Sequence, residues 1–373
     1  MNLTILIVGL GGLGSVLLEL LARSSLSCRL IVGSRNRLHG RACCNLAKLG
    51  AQAQGYDPDI DFIYLDLDEH KATIKTIQSI SPDIIVCTAT RQSWWLPRQL
   101  PAPQASRFKS AGFSLWLPLH LSLPTALMRI LHSADYRGLT LIAPFPDVVN
   151  CILDRIGLSP TCGIGNVDEI ATKVRGLAAA KLGAPIDEVT VALVGHHALE
   201  KCAFDGSPEA VPYFLRVEHN GRDVTKEVKA AELLMKPFSL PEGPPTHFLT
   251  AGSAVRLITA LGSDRSVRLH APGPNGLPGG YPVLASRSGV TVLEIDGLSL
   301  SGAIHINEQS HKFDGIERIE KDGSVVFTEN VVTTARDELG FNCSRLEPHE
   351  IETRAQELLS KFQAYAKGFG MVF

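Results

Sequence analysis

The sequence predicts an α/β fold, a doubly wound parallel sheet followed by an α+β domain, and three observations carry that expectation. Short apolar runs alternate with helix-spaced stretches through roughly the first 150 residues. A glycine cluster at residues 9–14 sits between the first apolar run and the first helical stretch. The 373-residue length suits two cores, since single domains run to ~100–200 residues. We place the boundary at 155, with one domain over 1–155 and a second over 156–373.

Residues 3–8, 29–32, 62–65, 83–88 and 139–143 are short and rich in Ile, Val and Leu, as strands buried on both faces should be. Residues 15–22, 41–49 and 70–80 carry helical spacing between them. Asp66-Leu67-Asp68 follows the third strand, either at a ligand-binding sheet edge or as a solvated turn. Residues 94–124 hold Trp94, Trp95, Trp116 and five prolines, which predicts a long ordered loop over a cleft. Beyond it, 163–182 predicts a helix, 189–194 and 213–218 predict strands, and 250–261 and 349–366 predict long helices. Residues 290–295 and 325–328 suggest antiparallel strands joined by turns such as Lys321-Asp322-Gly323-Ser324.

Hydrophobic residues make up 45% and charged residues 20%, with a formal net charge of -2, a balance that fits neither disorder nor a polyanion-binding surface. Nucleic acid is therefore not an expected partner. The apolar start at 3–8 lacks a basic leader and reads as a buried strand, not a signal peptide. No run of ~18 apolar residues suggests a membrane span. The eight cysteines are scattered without a C-x-x-C pair, as expected of buried thiols in a reducing, cytoplasmic setting.

Gly9-Leu10-Gly11-Gly12-Leu13-Gly14 supplies G-x-G-x-x-G after a strand and before a helix, the context that makes it a Rossmann dinucleotide-binding turn. Gly9 permits the tight turn, Gly11 lets backbone approach a pyrophosphate, and Gly14 lets helix and strand pack closely. The helix N-terminus adds free N–H groups and partial positive charge. Gly12, Leu13 and Thr88, at the end of the fourth strand, complete the expected contacts. An NAD site would carry an acid ~20 residues on for the ribose 2′-OH. No acid lies between Glu19 and Asp57; Ser34, Arg35 and Arg37 stand there instead. A hydroxyl and guanidinium groups suit a 2′-phosphate, so NADP(H) is the expected cofactor.

Gly163-Ile164-Gly165-Asn166-Val167-Asp168, Lys181-Leu182-Gly183 and Gly195-His196-His197 resemble the central part of the lactate/malate dehydrogenase family. Arg91 and Arg98 follow the fourth strand as that family's loop arginines do, and the order of the later elements is similar. The resemblance implies a two-domain fold, hydride transfer and a homo-oligomer, a dimer or tetramer. It places His197 at the proton-donating histidine, with adjacent His196 as the other candidate, Asp168 as its orienting acid and Arg98 as the residue polarising the carbonyl. Asp168 matches by its Asn-x-Asp context, but counting back from His197 lands on Ile170. The carboxylate-gripping position is then Ala171 or Lys173, neither with the bidentate fork of Arg. Pro144 stands where the family has an Asn. Arg91, Lys173 and His196 are the candidate substrate contacts.

Two related groups share parts of the pattern. NAD- and metal-dependent glycosidases use Cys and His as metal ligands, and Cys162 with His196 or His197 would be the counterparts here; no metal is expected. Saccharopine-reductase-type enzymes carry Gly-Ser-Arg and Asp-Leu-Asp segments in similar places, as here at 33–35 and 66–68. The expectation is an NADPH-dependent oxidoreductase reducing a ketone or imine, a small-molecule substrate other than a simple 2-keto acid. The alternative is a non-catalytic NADP-binding sensor.

Overall fold

The computed structural model describes residues 3–372 and contains a parallel sheet followed by an antiparallel one. Strands β1 (Leu3–Val8), β2 (Cys28–Ser34), β3 (Asp59–Tyr64), β4 (Ile84–Cys87), β5 (Leu139–Ile142) and β6 (Cys162–Gly163) are all parallel, in the order β3-β2-β1-β4-β5-β6. The inner residues of β1 and all of β4 are buried, as strands covered on both faces must be. The strand order reverses between β1 and β4, so the loops leaving their carboxyl ends diverge and open a crevice. Helices α1 (Gly12–Ala22), α2 (Arg37–Gln52) and α3 (His70–Ile80) make the crossovers of the first half.

The segment 94–124 departs from expectation: it is helical, not one long loop. A 3₁₀ turn at Leu96–Gln99 leads to α4 (Ala102–Ala111), and a second at Phe113–Trp116 leads to α5 (Leu117–Ser133). The prolines start these helices instead of breaking them. Pro103 and Pro118 sit in first turns, where a missing N–H costs nothing. Pro124 lies inside α5, where every residue from 117 to 125 is buried and packing outweighs the lost hydrogen bond.

After α6 (Pro146–Arg155), the parallel sheet runs past residue 155 to β6. The second layer follows with α7 (Val167–Leu182), β7 (Val189–Gly195), α8 (Leu199–Asp205), β8 (Tyr213–His219), β9 (Arg222–Asp223), α9 (Ala230–Met235), α10 (His247–Leu261), β10 (Val267–Pro272), β11 (Gly280–Ser286) and β12 (Gly289–Val292). Its sheet is antiparallel in the order β10-β11-β7-β8-β9, with β12 beside β11.

The last part holds α11 (Leu300–Ser310), β13 (Ile316–Ile319), β14 (Val325–Phe327), α12 (Glu329–Leu339), β15 (Arg345–Leu346) and α13 (Ile351–Lys367). The strands expected at 290–295 and 325–328 are present in part but do not pair. β12 joins β11, while β14 lies between β13 and β15 in a separate small sheet. The turn at 321–324 links β13 to β14, closed by Asp322 accepting from the Ser324 N–H at 2.9 Å. β13 carries no alternating signal in the sequence, because its Ile-Glu-Arg-Ile pattern buries only the two ends.

This C-terminal part returns to the first domain. Phe362 of α13 is fully buried and meets Trp116 edge to face at 5.0 Å between ring centroids. Arg91, after β4, donates to Glu352 of α13 at 2.8 Å and to Asp68 at 2.9 Å. Among the described residues, no helix is long and apolar enough to cross a membrane. Because Phe362 fills the core under α5, Phe362→Ala should cost about 3–5 kcal/mol of folding stability. Chemical denaturation checks this, and an unchanged midpoint would mean that α13 is a dispensable appendage.

Candidate functional site

The glycine turn is built by close approach of backbone. Gly9 has φ +100°, and a Cβ there would fall 2.7 Å from the Ala89 nitrogen; at Gly14 a Cβ would fall 2.2 Å from the Gly9 oxygen. Gly11 is the N-cap of α1, and no atom lies within 4 Å of where its Cβ would stand, so the turn is open on that side. Thr88 donates its hydroxyl to the Gly9 carbonyl at 2.8 Å, bracing the turn. This bare backbone at a helix N-terminus fits the phosphates of a dinucleotide.

At the carboxyl end of β2, Asn36 caps α2 by accepting from the His39 N–H at 3.0 Å. Its neighbours stay on the surface: the Arg35 side chain is 62% exposed and 4.0 Å from Asp68, and Arg37 lies 4.0 Å over the Tyr64 ring. Ser34 Oγ accepts from the Asn36 N–H at 3.4 Å. The hydrogen bond from Arg91 holds the Asp68 carboxyl below its ordinary range, despite some burial.

A cleft of about 630 Å³ runs from Gly11, Gly12 and Leu13 past Trp94, Arg98 and Phe113 to Phe145, Glu169, His197 and Glu200. His197 follows β7, and its Nδ1 is 2.8 Å from Oδ2 of Asp314, which is fully buried. Its backbone N–H donates to Oδ1 of Asp147 at 2.9 Å, and the second oxygen of Asp147 accepts from the Asn166 amide. Phe113 and Phe145 flank the imidazole at 4.9 and 5.0 Å. Burial opposes charge on this ring, but Asp314 and, after it, Glu200 and Asp147 outweigh that, raising His197 to about 9. The same pairing holds Asp314 far below the usual carboxylate range although burial pushes it up. Burial pushes Asp147 up.

Several expected assignments take another place. Asp168 does not orient His197: it accepts from Ser253 Oγ at 2.8 Å and from the His270 N–H at 3.3 Å, on a different face of α7. Asp314 does that work, from a part of the chain with no motif to mark it. His196 is buried, its Nδ1 3.2 Å from the same Asp314 oxygen and its ring against His311, so His197 is the imidazole that reaches the cleft. Lys173 is no substrate contact; its ammonium is buried among the carbonyls of Ala203, Leu234 and Lys236, and burial lowers it to about 8. Arg91 is likewise spent on Asp68 and Glu352. Arg98 does line the cleft, 4.6 Å from the Trp94 ring centroid.

Glu169 and Glu200, unmarked by any motif, also line the cleft. Burial, then their mutual repulsion, lifts Glu169 to about 8; burial lifts Glu200 to about 7 against the pull of His197. Cys162 is fully buried in β6, which pushes its thiol up, unlike a metal-binding thiolate. Among the described residues, no group of three or more His, Cys, Asp or Glu is arranged to hold a metal ion.

No family model matches the chain, and no curated protein matches it by sequence. Its structure is similar to malate dehydrogenase from Plasmodium falciparum, at 13% identity and a TM-score of 0.57, covering 97% of this chain and 99% of that one. Cryptosporidium parvum malate dehydrogenase gives 14% identity and 0.57, covering 84% and 97%. The lactate dehydrogenase of Cryptosporidium parvum, solved with lactic acid and nicotinamide adenine dinucleotide, gives 15% and 0.55, covering 84% and 98%. The fold is therefore lactate/malate dehydrogenase-like, a Rossmann domain followed by an antiparallel second domain.

The geometry assigns the charge of His197 to Asp314. In Asp314→Asn the imidazole should titrate well below about 9, whereas Asp168→Asn should leave it in place. Ring-proton NMR titration distinguishes the two, and the opposite ranking would restore Asp168 as the partner.

Proposed function

We propose that the chain is a nicotinamide-dinucleotide-dependent oxidoreductase that reduces a ketone or imine, with NADPH preferred over NADH. The observation that carries this reading is a charged, carboxylate-held imidazole, His197, facing the same cleft as the open glycine turn. A sensor that only binds a dinucleotide has no need of it. Bound along that turn, the nicotinamide would supply the hydride.

The chain's own residues do the rest. As negative charge grows on a carbonyl oxygen, or as an imine nitrogen gains an electron pair, His197 releases a proton toward it, and Asp314 keeps the ring oriented and ready to recharge. Arg98, one of the cations lining the cleft, is placed to polarise the reacting group. Phe113 and Phe145 keep water from the ring's flanks. A simple 2-keto acid is disfavoured, because α7 offers no arginine to its carboxylate and presents Glu169 instead. The preference for NADPH rests on Arg35 and Arg37 beside β2 and on the missing acid. As in the family it resembles, the chain is read as a homo-oligomer.

Two outcomes test this. Calorimetry should show tighter binding of NADPH than NADH, with the preference lost in Arg35→Asp; equal affinities in the native protein would end the NADP assignment. With a substrate in hand, His197→Ala should lower turnover ~10²–10⁴-fold while leaving NADPH affinity nearly unchanged. Because His197 is raised above its ordinary value, the donor is present below about 9 and lost above it. Reduction should therefore fall as pH rises through about 9, and a rate that climbs through that range would rule out His197 as donor.

A further inference from the structure

Gly12 is not one of the three glycines the dinucleotide turn requires, yet a side chain there would have to displace the ring of His247. A Cβ on Gly12 would lie 2.7 Å from both Cε1 and Nδ1 of His247. The imidazole of His247, the first residue of α10, thus packs directly over the first turn of α1. It is 7% exposed, and its Nδ1 is buried without a hydrogen-bond partner among the described residues.

The other ring nitrogen is taken. Trp94 Nε1, 3.3 Å from His247 Nε2, can only donate, so Nε2 must accept. Burial favours the neutral ring, and in that tautomer the proton is on Nδ1. The result is a buried N–H, fixed by Trp94, beside Gly12 at the edge of the turn that is open over Gly11, with nothing to donate to. An orphan donor of this kind is costly unless a ligand completes it.

We propose that His247 is a cofactor-binding residue whose Nδ1–H donates to a pyrophosphate oxygen of a dinucleotide lying over Gly11 and Gly12. The assignment rests on the dinucleotide reading above and adds a contact from the second domain. It also gives Trp94 a role: its indole sets the tautomer, so the cleft wall and α10 are both tied to the cofactor. With the ring in this position, glycine at 12 leaves the room that a Cβ would take.

The test compares three probes by calorimetry on the full chain: NADPH; ADP-ribose, which keeps the pyrophosphate; and adenosine 2′-monophosphate, which lacks it. His247→Phe should weaken NADPH and ADP-ribose by about tenfold or more, as expected for loss of a hydrogen bond to a charged group, and leave the monophosphate unchanged. His247→Asn, whose amide nitrogen replaces Nδ1, should keep most of the affinity. Quenching of tryptophan fluorescence by NADPH gives an independent reading of occupancy beside Trp94. Unchanged NADPH binding in His247→Phe, an equal loss for the monophosphate, or an Asn variant as weak as the Phe variant would each overturn the proposal. A native protein that binds none of the probes would instead defeat the dinucleotide reading itself, and this contact with it.

Discussion

A carboxylate without access to water governs this molecule. Asp314 is fully buried, and a buried charge persists only when it is paired and hydrogen-bonded. Two imidazoles meet the requirement from the end of β7, His197 at 2.8 Å and His196 at 3.2 Å from one oxygen. Removing one member of such a set typically costs about 3–5 kcal/mol, because the other is left charged and unpaired. The pairing therefore fixes where residues 311–314 lie, and through them the small sheet and helices that follow. Gly112 makes room for the approach: its φ is +113°, and a Cβ there would stand 2.6 Å from the Asp314 carbonyl oxygen.

The C-terminal part is consequently a component of the site and not an addition to it. Asp314 reaches His197 from one end of this segment, while Phe362 under Trp116 and Glu352 on Arg91 hold the other end against the first domain. A second acid works from the first domain. Asp147, in the first turn of α6, grips the His197 backbone with one oxygen and Asn166 with the other. One carboxylate sets the charge of the ring and the other sets the position of its chain, so neither alone would place the imidazole.

What could be read from the sequence follows from which forces are local. The glycine turn was legible because backbone geometry at Gly9 and Gly14 leaves room for no other residue, and the buried strands because they are apolar throughout. Residues 94–124 misled because proline signals a break only when its helical context is unknown, and burial of α5 is a tertiary fact. The histidine position was legible from a short motif at a strand end. Its partner was not: Asp314 is 117 residues away, in a run without periodicity or spacing to mark it. Asp168 looked right by sequence context, but its place on α7 aims it at Ser253 and His270. Lys173 follows from counting back from His197 and Arg91 from its place after β4, whereas the fold commits both to internal partners.

The balance of charge in the cleft then limits what it can take. His197 and Asp314 form a pair that is neutral as a unit, so the net field comes from the groups around it. Burial first, and neighbouring carboxylates after it, raise Glu169 to about 8 and Glu200 to about 7, so ionisation of either is costly. An anionic group entering beside them would raise that cost further. A neutral carbonyl or imine meets no such penalty, and a positively charged group would draw the same carboxyls into ionisation and be held by them. The arginine of α7, Arg175, lies with Asp168 in a separate pocket on another face of the helix, and the side chain that α7 turns into the cleft is the acid Glu169.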